Sequence, residues 1–409
     1  MEFASRKGAA SWLRLAACVV AIMAVANLQY TWALFVVPLM KDLGVKLSAV
    51  QMAFTLYIVA QTWLAPFEGG LADRFAIRPL VIVGGLLVGV NWIGAGLARS
   101  VGPLYFACAL GGFGCGMVMS ACGRYALTAL PGRRGLSVGL VAMAYGLGPV
   151  LALLPIQRSI AHDGYRSAFI HWGYIQVIVV MGAAAFLGGK ESHPRPAAGA
   201  PGLTPFRMVR TYRFFLMYLI MILVAFGGLV LTAQLVPLAE SFGVGQSALV
   251  FGVGAVTLAL LLDRVMNAAA RPFWGWFSDR VGRCDALAAA FACEAVAVLL
   301  LLQTAQRPLW FVLQSGLTFL AWGEIFALFP AMIADVFGPE HAMTNYGVLF
   351  TAKGIASFFA GWGAARVVEA HLPWTAVLWV ALACDLLAAG LTFFCLRPLL
   401  SGSQEVAAP

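Results

Sequence analysis

Charge is what this 409-residue sequence has least of: Asp, Glu, Lys and Arg make up only 11% of it, with 17 acids in all. A water-soluble domain carries about a quarter of its residues charged, so a soluble globular fold is excluded. Segments of about 10 residues alternating apolar and polar, the pattern of a membrane β-barrel, are missing too. The five histidines, His162, His171, His193, His341 and His371, fall at or near expected loops and do not approach the spacing of a zinc-binding helix. No nucleophile–base pair stands out either, so neither an enzyme, a metal site nor a cofactor is expected.

What fills the chain instead is hydrocarbon, 62% of residues. Twelve apolar stretches can each hold a helical span of about 20 residues. They lie near 12–37, 48–72, 79–98, 103–129, 136–160, 167–188, 211–239, 246–276, 285–303, 308–336, 344–370 and 373–396. The expected fold is an all-α polytopic membrane protein with 12 transmembrane helices. The net charge of +9 does not imply a nucleic-acid partner, because of where it sits. With the N-terminus inside, Arg6, Arg74, Arg133, Arg210, Arg283 and Arg397 stand among fifteen cytoplasmic cations, against six on the other side from Lys41 to Arg307. That positive-inside bias puts both termini in the cytoplasm. The first apolar run is too long for a signal sequence and is read as a retained span. The expected location is the plasma membrane (the inner membrane in a Gram-negative cell), with lipid as the surroundings. Cys108, Cys115 and Cys122 repeat every seven residues on one helix face, beside Gly111, Gly112, Gly114 and Gly116. Small residues that let helices approach explain them without a metal or a phosphate loop.

The chain also repeats itself. Residues 189–210, rich in Pro, Gly and basic side chains, divide an N-terminal six-helix half, 1–188, from a C-terminal one, 211–409. Val37-Pro38-Leu39 recurs as Val236-Pro237-Leu238, and Gly69 to Arg74 recurs as Gly275 to Arg280. Tyr145-Gly146 matches Lys353-Gly354. Six spans per half is an even number, so the two repeats are parallel, an arrangement that transporters use around a midplane site.

Asp263 to Arg283 begins inside the expected span 246–276, puts charge where hydrocarbon is expected and ends in a charged turn. A charged side chain at a span's centre costs about 2.5 to 3.5 kcal/mol on insertion scales, so Arg271 reads as a site for an anion. Its planar fork fits a carboxylate bidentately and cannot deprotonate; the competing reading is a structural pair with Asp263 or Glu324. Lys353 stands mid-helix rather than at an end from which it would snorkel. Tyr30, Tyr145 and Trp322 fall inside spans rather than at interfacial belts, and Tyr hydroxyls or the Gln29 amide can donate to a carboxylate. Arg124 either joins an anion path or pairs with an acid such as Glu324. Asp263 and Arg264 form a gate pair or part of the way in. Asp385 is a further intramembrane acid, whereas Glu294 reads as a helix-packing or lipid-edge feature. The charged turns holding Asp73, Arg74, Asp279, Arg280 and Arg283 suit a conformational latch made of charge-assisted hydrogen bonds.

These residues resemble the major facilitator superfamily. Its loop signature is met by GWFSDRVGR at 275–283, with a weaker copy at 69–78 where Ala76 replaces the usual glycine. Within it, the chain looks like the oxalate/formate antiporter group. The residues carrying this are Asn27 to Trp32, Tyr145 to Gly148, Arg271 to Gly275, Trp322-Gly323 with Ala327 to Pro330, and Asn345 to Gly347 with Ala352-Lys353. The resemblance implies a secondary transporter exchanging small organic anions by alternating access. It implies Arg271 and Lys353 as substrate cations and Tyr30, Tyr145 and Trp322 as an aromatic cage. Met119, Phe326 and Phe350 depart from the Tyr, Tyr and Trp typical of the group, which makes the cage less polar or differently sized. The alternative is a proton-coupled monocarboxylate symporter; there an Asp precedes the arginine by four residues, and here that position is Asn267. A small carboxylate is the expected partner, protons a conditional one, and the monomer the working unit. A receptor that senses an anion without moving it is disfavoured, because only twelve residues follow Arg397.

Overall fold

In hydrocarbon a backbone N–H or carbonyl has nothing to bond but its own helix, and the chain is helical almost throughout. The computed structural model describes residues 2–129, 134–188, 202–245, 248–338 and 341–401, with side chains described except at 2–10, 73–74, 127–128, 134–138 and 401. In chain order the helices are α1 (Glu2–Val25), α2 (Asn27–Leu43), α3 (Leu47–Trp63), α4 (Ala65–Arg74), α5 (Ile77–Leu97), α6 (Val101–Ala129) and α7 (Arg134–Ala185). There follow α8 (Pro205–Met208), α9 (Tyr212–Ser241), α10 (Ala255–Val281), α11 (Arg283–Thr304), α12 (Pro308–Trp322), α13 (Leu328–Phe337), α14 (Ala342–Ser357), α15 (Ala364–Glu369), α16 (Trp374–Gly390) and α17 (Arg397–Ser401). A 3-10 turn, Gly323–Phe326, joins α12 to α13, and π-helical turns occupy Phe358–Gly363 and Leu391–Leu396. A two-stranded antiparallel hairpin, β1 (Leu249–Val250) and β2 (Val253–Gly254), precedes α10.

Helix ends follow local chemistry. Thr211 caps α9 by accepting the Phe214 N–H at 3.2 Å. Gly282, at φ 95°, ends α10 in a conformation that an L side chain rarely adopts. Gly164, at φ 80° and ψ 159°, breaks α7 in the same way.

Nine helical stretches among the described residues are long and apolar enough to cross a membrane, or ten when the pair Leu47–Trp63 and Ala65–Ala72, bent by 46°, is taken as one. The twelve expected spans are reached only if two further conditions hold. The first is that Gly139–Ala185, 47 residues long, crosses twice with its turn at Gly164. The second is that α10 crosses although Asp263, Arg264 and Arg271 lie along it.

The chain forms two compact units: Met1–Val45 with Leu56–Ala198, and Lys46–Thr55 with Gly199–Pro409. In the first, α5 packs on α6 and α7, and α1 on α7 and α6. A Cβ added to Gly84 would stand 2.6 Å from the Gly114 carbonyl oxygen, so these backbones touch where α5 meets α6. Cys108, Cys115 and Cys122 are fully buried on α6. In the second unit α10 packs on α12, α11 on α16 and α12, and α9 on α14 and α16. Residues 46–55 are bonded into this unit. The Ser48 N–H and hydroxyl donate to Glu369 at 2.7 and 2.9 Å. Gln51 Nε2 donates to Gln234 Oε1 at 2.9 Å, and the Thr55 hydroxyl to the Ser357 carbonyl at 3.0 Å. The π turn after α14 exposes carbonyls, and Gln234 Nε2 reaches that of Gly361 at 2.9 Å.

Candidate functional site

Arg271 and Lys353, on α10 and α14, both lie in the second unit and are 5% and 1% exposed. Pro272, directly after Arg271, has no N–H for the helix ladder and leaves the carbonyl one turn back without its usual donor. The two cations share one aromatic ring: Arg271 Cζ is 4.7 Å from the Phe326 centroid and Lys353 Nζ is 5.3 Å from it. Lys353 Nζ is also 5.1 Å from the Phe350 ring. Arg271 Nη2 donates to Asn267 Oδ1 at 3.5 Å. The rings form a run: Trp322 meets Phe326 edge-on at 5.6 Å, Phe326 meets Phe350 at 6.2 Å, and Phe350 meets Tyr346 at 5.5 Å. Trp322 is fully buried, and its Nε1–H has no hydrogen-bond partner among the described residues. Each ring face gives a cation about 0.5 to 2 kcal/mol, less than the several kcal/mol that dehydrating one ion costs. Chemically, such a setting suits a small anion.

Asp263 and Arg264 are buried, with Arg264 Nη2 3.9 Å from Asp263 Oδ2 and its guanidinium 4.2 Å from the Phe319 ring. Glu324, on the 3-10 turn, is grouped with Asp385 and Glu294. Glu294 is fully buried, which overturns the lipid-edge reading. Its helix α11 is held between α12 and α16, and position 294 faces inward.

The first unit contains a neutral network. Tyr145 and Gln29 are buried; the Tyr145 hydroxyl donates to Gln29 Oε1 at 2.7 Å and accepts from Gln61 Nε2 at 2.7 Å. Gln61 also reaches Cys115 Sγ at 3.2 Å and Met119 Sδ at 3.8 Å. Tyr30 packs edge-on to Tyr145 at 5.5 Å. In this structure the Tyr145 proton is directed to Gln29. Gln29 Nε2 has no partner among the described residues and is the donor this cluster offers. Arg124, on α6, is half-buried.

At the charged turn, Arg283 Nη1 donates to Asp279 Oδ1 at 2.9 Å and to the Ser278 hydroxyl, and Arg283 Nε reaches Asp335 Oδ2 at 3.4 Å. Arg280 instead lies over Trp276, 4.0 Å from its ring centroid. The Asp73 and Arg74 side chains lie outside the described residues.

Sequence reasoning missed Gln61, Asp335 and Glu68, and met Tyr346 only as part of a motif that carries the resemblance. Glu68 is buried on α4 against Gly116 and near Ser120. Lone polar residues within an apolar stretch are the signal that marks Gln61 and Glu68.

Known proteins share this framework. The nucleoside transporter NupG, in the form of a point mutant, superposes with TM-score 0.75 over 93% of this chain and 98% of its own, at 12% identity. The oxalate:formate antiporter of Oxalobacter formigenes is 32% identical over 389 residues, covering 94% of this chain and 91% of its own length. Monocarboxylate transporter 11 of Homo sapiens is 28% identical over 232 residues, 55% of this chain and 47% of its own. The family model described as Major Facilitator Superfamily matches residues 17–268. By that match and by its likeness to the antiporter, the chain belongs to the Major Facilitator Superfamily and is a multi-pass membrane transporter.

Proposed function

We propose that the chain exchanges small carboxylates, of the oxalate and formate kind, by alternating access. The observation that carries this reading is the placement of Arg271 and Lys353 about the single Phe326 ring. Two unit charges about 8 Å apart repel by roughly 2 kcal/mol at an effective dielectric of 20. A bound dianion cancels that repulsion, so the loaded carrier reorients while the empty one resists. Ligand binding thereby supplies the differential free energy that a switch needs. Trp322 belongs to the same proposed recognition surface, and Gln29, Tyr30 and Tyr145 are separately proposed as substrate-binding residues. Halves 1–188 and 211–409 are the proposed moving parts, with Asp73, Arg74, Asp279, Arg280 and Arg283 as their cytoplasmic latches. Arg124, Asp263 and Arg264 are assigned to the anion's path. The proposed carrier works as a monomer in the plasma membrane with both termini in the cytoplasm.

The name of the antiporter relative supports exchange of carboxylates. The name of the monocarboxylate transporter relative favours a second reading, proton-coupled symport, although the side chain next to Arg271 is the neutral Asn267. Counterflow in proteoliposomes separates the two. Exchange requires oxalate, formate, lactate or malonate on the far side, whereas uptake driven by a pH gradient into empty vesicles overturns it.

A further inference from the structure

Three acids stand inside the second unit where hydrocarbon surrounds the fold: Glu294 on α11, Asp385 on α16 and Glu324 on the 3-10 turn, all fully buried. Glu294 lies within electrostatic reach of both others. Glu294 and Asp385 converge on a gap left by a missing side chain. A Cβ added to Gly227 of α9 would stand 2.9 Å from Glu294 Oε1 and 3.6 Å from Asp385 Oδ2. None of the four carboxyl oxygens of this pair has a hydrogen-bond partner among the described residues. Glu324 leans toward the N–H groups of its own turn, those of Glu324 and Ile325, without a hydrogen bond of ordinary geometry.

Among the described residues, no hydrogen-bonding counter-charge meets the carboxyl oxygens of these three acids. Glu294 has Cys293 beside it, and Asp385 has Cys384. Within their spans α12 has no ionisable residue, and α9 carries its own toward its two ends. On α10, Arg264 lies with Asp263 and Phe319, and Arg271 lies over Phe326. Three like charges in one dry site would each lose hydration and repel the others. A small cation must therefore be held there, and no group of three such side chains among the described residues is placed to hold a metal ion.

We propose that Glu294, Asp385 and Glu324 form an intramembrane proton-binding site, separate from the cation pair and tied to it by the turn Gly323–Phe326. The step is simple: a proton passes between water and a carboxylate oxygen, and no other bond changes. The tie is geometric. In a 3-10 turn of three residues per turn, residues two apart are about 120° from each other around the axis and lie on different faces. Glu324 thus faces the acids while Phe326 faces Arg271 and Lys353. Movement of Phe326 when an anion settles on the cations turns Glu324, and the acids gain or lose a proton in response. This last link rests on the carboxylate reading above; the proton site itself does not.

The test is infrared difference spectroscopy on the full-length carrier in liposomes, following the C=O stretch of protonated carboxyl groups. In the wild-type protein this band is expected to fade as pH rises and to shift in D2O. Glu294→Gln and Asp385→Asn should each remove part of it. Gly227→Ala, which pushes a methyl between the two carboxyls, should move the pH at which it fades. Addition of oxalate or formate should change the band in the wild-type protein but not in Arg271→Gln. A wild-type band that does not respond to pH, or one that both acid variants leave unchanged, overturns the proposal. If sodium rather than pH controls the signal, the occupant is a metal ion and the proposal falls equally. If no carboxylate alters the band or shows counterflow while the pH response and its loss in the variants persist, the proton site stands and the carboxylate reading fails.

Discussion

Tyr145 and Lys353 occupy matching places in the two sequence repeats, yet their surroundings have diverged completely. Tyr145 sits in a neutral chain, Gln61 to Tyr145 to Gln29, with both links at 2.7 Å. Lys353 sits among the rings of Phe326 and Phe350 beside another cation that approaches the same ring. A neutral network of this kind stabilises its own fold, since each satisfied buried hydrogen bond contributes about 0.5 to 1.5 kcal/mol. A buried charged pair of like sign does the reverse. The repeat preserved the framework and concentrated the electrostatic strain in one half, and strain that persists in a fold is where function is to be sought.

Arg271→Lys should break this contrast most severely. It keeps the charge and loses the planar fork, so substrate affinity measured by counterflow should fall more than tenfold, or over about 1.4 kcal/mol. Near-native uptake would make Arg271 a structural residue. Lys353→Gln comes next: by converting the charged position into a neutral one like its counterpart, it should abolish dianion transport, retain monoanion movement and loosen coupling. Dianion and monoanion fluxes, with and without internal substrate, check this; dianion flux at the wild-type rate would end the two-cation model. On the neutral side, Tyr145→Phe leaves Gln29 and Gln61 each short of a partner. Its expected mark is on stability, a loss of about 1 to 3 kcal/mol seen as a lower midpoint in a thermal scan, with a smaller change in affinity. The weakest effect should come from Asp279→Asn. The Asp279 and Asp335 side chains around Arg283 are 69% and 60% exposed, and exposed ion pairs contribute about 0 to 1 kcal/mol. Its thermal midpoint should barely move, and a large drop would show that the turn does more than latch.

Much of the helical framework was readable from hydropathy, because lipid makes the helix compulsory wherever the chain crosses. What hydropathy hides is interruption. The left-handed Gly164 and the 46° bend after Trp63 leave the apolar runs looking continuous. Arg271 and Lys353 were conspicuous because charge is rare here, so a single residue carries the signal. Phe326 was marked only as a departure from the family's aromatic pattern, and that both cations approach its one ring is a fact of packing alone. For Glu294 only the lipid-edge alternative fell, and its neighbour stayed hidden: a lone acid on one helix gives no hint of Asp385, 91 positions later, and only packing brings the two to Gly227. Tyr145 could be recognised as polar, but which way its proton pointed depended on Gln61, a residue from another helix.

The wide turn at Phe358–Gly363 has a consequence for angular phase. A π-helical turn holds one residue more than an α-helical one, so it acts as an inserted step five residues beyond Lys353. Deleting one residue there would restore an unbroken α-helix and rotate everything after it by about 100°, the angle of one residue. Lys353 would keep its bearing, while Glu369 would swing away from Ser48 and the carbonyl of Gly361 away from Gln234. The bulge therefore lets one helix point its lysine and its far end in directions that a regular helix could not combine.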